Sequence, residues 1–451
     1  MSFLSIKFLI LLIILIILIN LTHKDIIKRI ILLAGGYVFY SFFGILPLTL
    51  LIVLSLFTGL GGWLTFKYRR SEKHNLSKII CSGFIITEII VLCFFKYTDY
   101  FPMPAGLSFY LLQTISFLVD SYRGEFKEFP SLLNTLIYIN FFPVIVSGPI
   151  QRSRKFMEKL SDIKPLNRER LSYGIQLFLL GAFLKLVMAD RLAVAVNCVY
   201  STPNVYSGLT LFITSVAYSL QLLFDFAGYS DMAIGVACLL GFELDKNFNL
   251  PYLSTNPSEF WKRWHISLSE WLRDYVYIPL GGNRKGKIRT YINTFITMII
   301  SGLWHGSTIN FLIWGALHGF GQVIYRVLSK NIKKQMENSS LSHFVSIILN
   351  FLFINFLWIP FKASDLNEAW IIISRIITLR PGAGYYYIYT FIFGILLIIV
   401  QYIAIRYNGG NNPFKPLPLN KLCGKIVFCC FIIAIAMFAY FGNSAFIYAQ
   451  F

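Results

Sequence analysis

Two histidines lie in tryptophan-rich stretches and have the chemistry to carry a proton. His305 occurs in SGLWHGS and His265 in FWKRWHIS. As a helix, the chain from Arg289 to His305 measures about 24 Å, less than the roughly 30 Å of a hydrocarbon core. An imidazole at that depth is costly unless it faces protein or water, so His305 is a candidate functional residue. The alternatives are a structural histidine bonded to a neighbouring helix and, for His265, an ordinary histidine at a membrane surface.

Two carboxylates lie at the end of an apolar block. Asp225 and Asp231 stand on either side of Tyr229 in LFDFAGYSDM, and acidic groups are unusual in lipid-facing sequence. They could orient an imidazole or receive a substrate hydroxyl. They could equally pair with a lysine or arginine of residues 262–273. The sequence leaves both interpretations open.

The stretch from Ser254 to Lys287 is too polar to be a lipid-exposed span. Asn256 as N-cap, Pro257 at the first helical position and Glu259 two residues later predict a helix start. At about 100° per residue, one face carries the apolar side chains, namely Phe260, Trp261, Trp264, Leu268, Trp271, Leu272 and Tyr275. The opposite face is polar, with Lys262, Arg263, Ser267, Ser269, Glu270, Arg273 and Asp274. His265 falls on the boundary, and a helix of this kind is typical of a membrane surface.

A short basic loop follows this predicted helix. Its sequence is LGGNRKGK, in which Arg284, Lys285 and Lys287 carry the positive charges and three residues are glycines. Such a loop could hold an anion, for example a nucleotide phosphate, on the cytoplasmic side. The same charges also fit the positive-inside rule of membrane proteins, and the sequence does not decide between the two.

The composition identifies the elements that must position these residues. Of 451 residues, 56% are hydrophobic and 14% are charged, whereas soluble domains have about 25% charged residues. This excludes a soluble multidomain enzyme and indicates an integral membrane protein. The net charge of +19 lies in short clusters between apolar blocks, which indicates cytoplasmic loops and not a nucleic-acid partner. The seven cysteines form no zinc-type spacing, so no metal is expected.

The apolar blocks predict an all-α polytopic protein with about 11–12 transmembrane helices. The last two expected spans are 385–405 and 426–449. Three blocks lie between the basic clusters at 67–73 and 152–170, and both clusters should be cytoplasmic. An odd number of crossings would separate them, so one block should enter the membrane without crossing. Residues 106–120, the shortest block, are the candidate for this re-entrant segment.

At these motifs the chain resembles the membrane-bound O-acyltransferases, in particular the bacterial alginate O-acetyltransferase-like branch. The matching stretches include FDFAGYSDMAIG, NFNLPYLSTNPSEFWKRWHISLSEWLRDYVYIPLGGNRKG, SGLWHGSTINFLIWGALHG and FFPVIVSGPIQR. These stretches cover about residues 30–325, whereas residues 326–451 match the family only in hydrophobic character. We expect residues 1–451 to form a single domain. Lys262 stands where the family motif has arginine, which keeps the charge but loses bidentate geometry.

The resemblance implies a helical ring around a thinned centre, with His305 as the catalytic group and His265 nearby. It implies acyl transfer, with acetyl-CoA as the expected cytoplasmic thioester donor and no bound cofactor. The acceptor would be an extracytoplasmic polysaccharide hydroxyl or a partner SGNH-type acyltransferase. The protein would be a multi-pass protein of the cytoplasmic (inner) membrane. The residues expected to contact substrate are Trp304, Asp225, Tyr229, Asp231, Lys262, Arg263, Arg273 and Arg284.

Two other functions remain open from the sequence. D-alanyl transfer in teichoic-acid modification, with a carrier protein as donor, belongs to the same superfamily. A solute or lipid transporter fits the composition and the re-entrant block equally well, but it gives no reason for two histidines in tryptophan-rich motifs.

Overall fold

A computed structural model describes residues 1–98, 100–336, 340–385, 391, 392, 394–396, 398, 399, 417–440 and 442, with the side chains of 329–336 and 340 left out. Regular structure in this part of the chain is helical, apart from one isolated bridge between Tyr206 and Ala383. The prediction of an all-α protein is therefore confirmed. Much of the expected span 385–405 and the end of the span 426–449 lie outside the described residues.

The chain forms two compact units. The first contains Met1–Gly181 and Tyr229–Lys246, and the second contains Ala182–Gly228 and the described residues from Asn247 onward. Within the described residues, the chain passes between the units at three places, so neither unit is one continuous stretch. The single domain expected over residues 1–451 stays a prediction.

The helices are, in chain order, α1 (Ile6–Leu21), α2 (Asp25–Ser41), α3 (Ile45–Arg70), α4 (His74–Tyr97), α5 (Leu107–Arg123), α6 (Leu132–Ile139), α7 (Phe142–Ile145), α8 (Ser153–Ser161), α9 (Arg168–Phe183), α10 (Asp190–Ser201), α11 (Gly208–Leu239), α12 (Pro257–Arg263), α13 (Ile266–Leu272), α14 (Lys287–His305), α15 (Ile309–Met336), α16 (Ser340–Lys362), α17 (Leu366–Ile377) and α18 (Leu422–Phe438). The chain also forms short π-helical turns at Leu184–Ala189 and Arg273–Tyr277 and a 3₁₀ turn at Pro251–Leu253.

Five helices among the described residues are long and apolar enough to cross a membrane, and they are Ile45–Arg70, His74–Tyr97, Gly208–Leu239, Ile309–Leu328 and Leu341–Lys362. Ile6–Leu21 and Leu422–Phe438 are shorter apolar helices. The protein is thus a multi-pass membrane protein. The count of about 11–12 crossings and the ring around a thinned centre stay predictions.

In the first unit, a buried carboxylate joins three helices. Glu88 of α4 is fully buried. It accepts hydrogen bonds from the Thr58 hydroxyl of α3 at 2.7 Å and the Thr114 hydroxyl of α5 at 2.8 Å. Since a buried carboxylate without such partners is costly, these bonds fix the relative position of the three helices.

The structure revises which block of the first unit is broken. Residues 106–120, expected to be re-entrant, lie mostly in α5, a continuous helix of 17 residues that measures about 26 Å. The block 131–148 was expected to be a full span. It breaks after α6, whose 8 residues measure about 12 Å, and continues as the single turn α7. On helix length, the non-crossing role fits 131–148 better than 106–120.

In the second unit, two glycines let α14 and α15 pack closely. A Cβ atom on Gly302 would lie 2.3 Å from the carbonyl oxygen of Phe311, and one on Gly315 would lie 2.4 Å from that of Met298. Both distances are far below van der Waals contact with backbone atoms, which cannot easily move. Helix α15, which follows His305 in the chain, therefore packs back against α14.

Candidate active site

His305 is the last residue of α14, and aromatic side chains surround it. Its ring centroid lies 4.9 Å from that of Trp304, 5.0 Å from Trp314 and 5.3 Å from Phe361. The three contacts are edge-to-face, and the residue is 1% exposed. These walls exclude bulk water and limit rotation of the imidazole.

His265 lies at a break between two short helices. The sequence analysis treated residues 257–277 as one amphipathic helix, but α12 ends at Arg263 and α13 begins at Ile266. His265 stands between them with φ 42° and ψ 55°, a left-handed conformation that is costly for a residue with a side chain. The break turns the imidazole inward, which explains why a residue on the predicted boundary is fully buried.

The Asn247 side chain fixes the protonation of His265. Its Oδ1 lies 3.2 Å from His265 Nδ1 and also accepts hydrogen bonds from the backbone N–H of Ser267 at 3.1 Å and the Ser267 hydroxyl at 2.9 Å. The backbone donor identifies the atom as the amide oxygen, which can only accept. Nδ1 of His265 therefore carries the proton, and Nε2 is the basic nitrogen of the ring.

Burial also keeps the His265 ring neutral. The residue lies outside the membrane-spanning helices, and desolvation lowers its pKa to about 3. A charged imidazolium at this position would lose its hydration without gaining a counter-ion from Asn247. At neutral pH, His265 is thus a hydrogen-bonding group and a weak base.

Trp304 contacts both histidines within the same buried cluster. Its ring centroid is 6.2 Å from that of His265 and 4.9 Å from that of His305. Phe226 of α11 also packs edge-to-face on His265, at 4.7 Å. The structure therefore brings together three of the residues that the sequence singled out, from two motifs separated by 40 positions in the chain.

Asp225 belongs to a buried cluster of charged side chains. Lys185 Nζ lies 2.6 Å from Asp225 Oδ1 and 2.8 Å from Asp190 Oδ1. All three side chains are at most 4% exposed. Asp225 thus has Lys185 as a cation partner, and its expected contact with substrate stays a prediction.

Tyr229 and Asp231 lie in the first unit, and their described contacts are made there. The ring of Tyr229 stacks on Phe3 at 4.9 Å. The carboxylate of Asp231 interacts electrostatically with Lys246. The expected contact of both residues with substrate stays a prediction.

The four basic candidates are more accessible than the histidines. Lys262, Arg273 and Arg284 are exposed, and Arg263 is half-buried. Arg263 pairs with Glu259 at 2.6 Å, and Arg273 pairs with Asp274 at 2.7 Å. Accessible cations suit contact with a soluble anion, but the described contacts do not tie them to the histidines, so their role also stays a prediction.

Four contributors to the site were not predicted from the sequence, namely Lys185, Asn247, Trp314 and Phe361. Lys185 carried a usable signal, because a lone lysine in an apolar block requires a carboxylate partner and Asp225 stood in another such block. Asn247, Trp314 and Phe361 carried no usable sequence signal, because an asparagine in a loop and aromatic residues in an apolar helix are common. Among the described residues, no group of His, Cys, Asp or Glu is arranged to hold a metal ion.

Sequence comparisons with known proteins identify the family to which the chain belongs. The sequence profile of the membrane-bound O-acyltransferase family matches residues 32–373, so the match continues past residue 325, where the motif resemblance ended. A probable alginate O-acetylase of Pseudomonas putida is 37% identical over 308 residues, which are 67% of this chain and 60% of the relative. The matched region therefore spans less than two thirds of that relative.

Two further relatives have different named acceptors. A peptidoglycan O-acetyltransferase of Helicobacter pylori is 30% identical over 389 residues, covering 77% of this chain and 73% of the relative. A teichoic acid D-alanyltransferase of Bacillus subtilis is 29% identical over 322 residues, covering 66% and 80%.

Proposed function

Because the chain belongs to the membrane-bound O-acyltransferase family, we propose that it transfers an acyl group, with acetyl as the first choice, from a thioester to a hydroxyl of an extracytoplasmic polysaccharide. The names of the relatives at 30% identity and above support this choice, since they denote O-acetylation of alginate and of peptidoglycan. The single observation that carries the proposal is the buried cluster in which His265 and His305 both contact Trp304.

The reaction needs one base at the hydroxyl. The acceptor oxygen attacks the thioester carbonyl carbon, and His305 takes the hydroxyl proton as the new C–O bond forms. The C–S bond then breaks, and the thiolate leaves and takes up a proton. General-base assistance of this kind contributes about 10²- to 10⁴-fold, and the aromatic walls around His305 protect the thioester from hydrolysis.

The two histidines have different roles in this scheme. His265, with a pKa of about 3, is too weak a base to accept a proton efficiently near neutral pH. Its Nε2, fixed as an acceptor by the Asn247 contact, instead receives a hydrogen bond from the substrate. His305 is left as the proton acceptor.

The donor reaches the site from the cytoplasm in this proposal, and acetyl-CoA is the expected donor. Arg284 and the lysines beside it are exposed and suit the phosphates of such a donor. The protein then lies in the cytoplasmic (inner) membrane. The acyl group passes either directly to the polysaccharide or to a secreted SGNH-type acyltransferase that completes the transfer.

The test is mass spectrometry of the surface polysaccharide from cells with and without the gene. We expect alkali-labile acetyl esters that disappear with the gene and return with a plasmid copy. Loss of D-alanyl esters instead would replace acetyl by D-alanyl transfer, in line with the Bacillus subtilis relative. No change in any ester-linked group would contradict acyl transfer to a surface polymer.

A further inference from the structure

His318 is a buried imidazole that the proposed reaction does not use. It lies in α15, is fully buried, and is surrounded by rings of two other helices and its own. The ring centroids within 6.4 Å of it belong to Trp314, Trp261, Phe260, Trp358 and Phe353. A leucine or phenylalanine would fill this space without the cost of desolvating an imidazole, so the polar ring calls for a specific interaction.

That interaction is a hydrogen bond to Trp261. The indole N–H of Trp261 donates to Nδ1 of His318 at 3.3 Å. Because an indole nitrogen only donates, Nδ1 must be unprotonated, and the proton of the neutral ring lies on Nε2. Nε2 has no hydrogen-bond partner within the residues that the structure describes. The bond to Trp261 is therefore the polar contact that the structure shows for this ring.

The two neighbours of His318 lead to the two histidines of the site. Trp261 lies in α12, one helical turn before the break at which His265 is held. Trp314 lies one turn before His318 on α15, and its ring is 4.6 Å from His318 and 5.0 Å from His305. His318 thus contacts both the helix that carries one histidine and the ring that packs on the other.

We propose that His318 is a positioning residue, which ties α12 to α15 through Trp261 and holds Trp314 edge-on against His305. This inference rests on the proposed acyl transfer by His305. Without the bond, Trp261 and Trp314 can shift, and the imidazole of His305 loses one wall. Misplacement of a reacting group by about 1 Å costs up to about 100-fold in rate, so the effect should fall on kcat and leave donor binding nearly unchanged.

The experiment is a double-mutant cycle with a rescue variant, using the full-length protein in detergent and acetyl-CoA with a soluble oligosaccharide acceptor. H318L removes the acceptor of the hydrogen bond, W261F removes its donor, and H318N places an amide oxygen near the position of Nδ1. We expect H318L and W261F each to lower kcat by about 10- to 100-fold with KM changed less than about threefold. The double variant should be no slower than the slower single variant, and H318N should recover at least half of the loss on a logarithmic scale.

Folding is checked by monodisperse elution and by the melting temperature, and kcat is normalised to folded protein. A wild-type kcat for folded H318L would overturn the inference. So would a double variant whose loss in kcat is the product of the two single losses, or an H318N variant that loses as much kcat as H318L. If the wild type transfers no acyl group from any thioester, the proposed function falls, and this inference falls with it. If the wild type is active and the cycle is additive, only the role of His318 is refuted.

Discussion

Lys185 of the second unit is a buried lysine that needs carboxylate partners. Its ammonium group lies within 2.8 Å of two carboxylates, Asp190 and Asp225, and all three are buried. At this scale the sequence singled out histidines and acids inside apolar blocks, because such residues are costly there without a partner or a function. It could not predict the pairing, because nothing in the spacing of Asp225 distinguishes Lys185 from the basic residues of 262–273.

Removing the cation should destabilise the protein strongly. We expect Lys185→Met to cost about 3–5 kcal/mol, because it leaves two buried carboxylates without their counter-ion. The melting temperature in detergent measures this, with Lys127→Met as the control at an exposed lysine. Equal melting temperatures for the two variants would show that the cluster contributes nothing to stability.

The buried His265 predicts a pH dependence of stability. Its pKa is about 3 in the folded protein, below the value of roughly 6.5 for an unfolded chain. The unfolded state therefore binds the extra proton first, so this contribution is complete above about pH 6.5 and is lost as the pH falls towards 3. The expected loss is about 1.4 kcal/mol per pH unit between those limits.

Unfolding of the wild type and of His265→Gln between pH 7.5 and pH 5 measures this slope. The variant should lose less stability on acidification than the wild type, whatever its stability at pH 7.5. His23→Gln, at an exposed position, should follow the wild type. Parallel curves for the wild type and His265→Gln would mean that His265 takes up its proton equally in both states.

Among the helices, starts were predicted better than breaks. Asn256 caps α12 as expected, accepting a hydrogen bond from the backbone N–H of Glu259 at 2.8 Å. The buried face of the amphipathic pattern also agrees with the structure, from Phe260 to Leu272. The break at His265 was missed, because the apolar periodicity continues through it and only tertiary contacts such as that to Asn247 stabilise the left-handed residue. The break within 131–148 was missed for the same reason.

The close contact of α14 and α15 predicts a position-specific effect of adding one methyl group. Gly302→Ala should lower the melting temperature and the acyl-transfer rate, because its Cβ would lie 2.3 Å from the backbone oxygen of Phe311 and would push the helices apart beside His305. Gly83→Ala is the matched control, since a Cβ at this helical glycine meets nothing within 4 Å. It should be neutral or slightly stabilising. An equal response of the two variants would contradict the packing argument.

At the scale of the whole molecule, composition predicted the class, and parity predicted that one block does not cross. The class follows from bulk properties, whereas the identity of the non-crossing block depends on where a helix breaks, which hydropathy does not record. Two compact units with interleaved chain segments could not be foreseen either, because unit boundaries depend on contacts between distant residues.

The parity argument predicts that the loops after α3 and before α8 face the cytoplasm. Single cysteines at Ser71 and Lys155, in a background without native cysteines, should both react with an impermeant thiol reagent from the cytoplasmic side. Lys155 is used because it is exposed, whereas Ser153 is buried against Asp120. Reaction from opposite faces would mean that an odd number of the three intervening blocks crosses the membrane, which contradicts the parity argument.

The most direct test of the account is the rate of acyl transfer by purified His305→Ala, with acetyl-CoA as donor and a soluble oligosaccharide as acceptor. His343→Ala, which removes an exposed histidine of α16, is the control. We predict that His305→Ala loses at least about 100-fold in kcat while remaining folded and able to bind the donor, and that His343→Ala retains the wild-type rate. Transfer by folded His305→Ala within a few-fold of the wild type would contradict the assignment of His305 as the base.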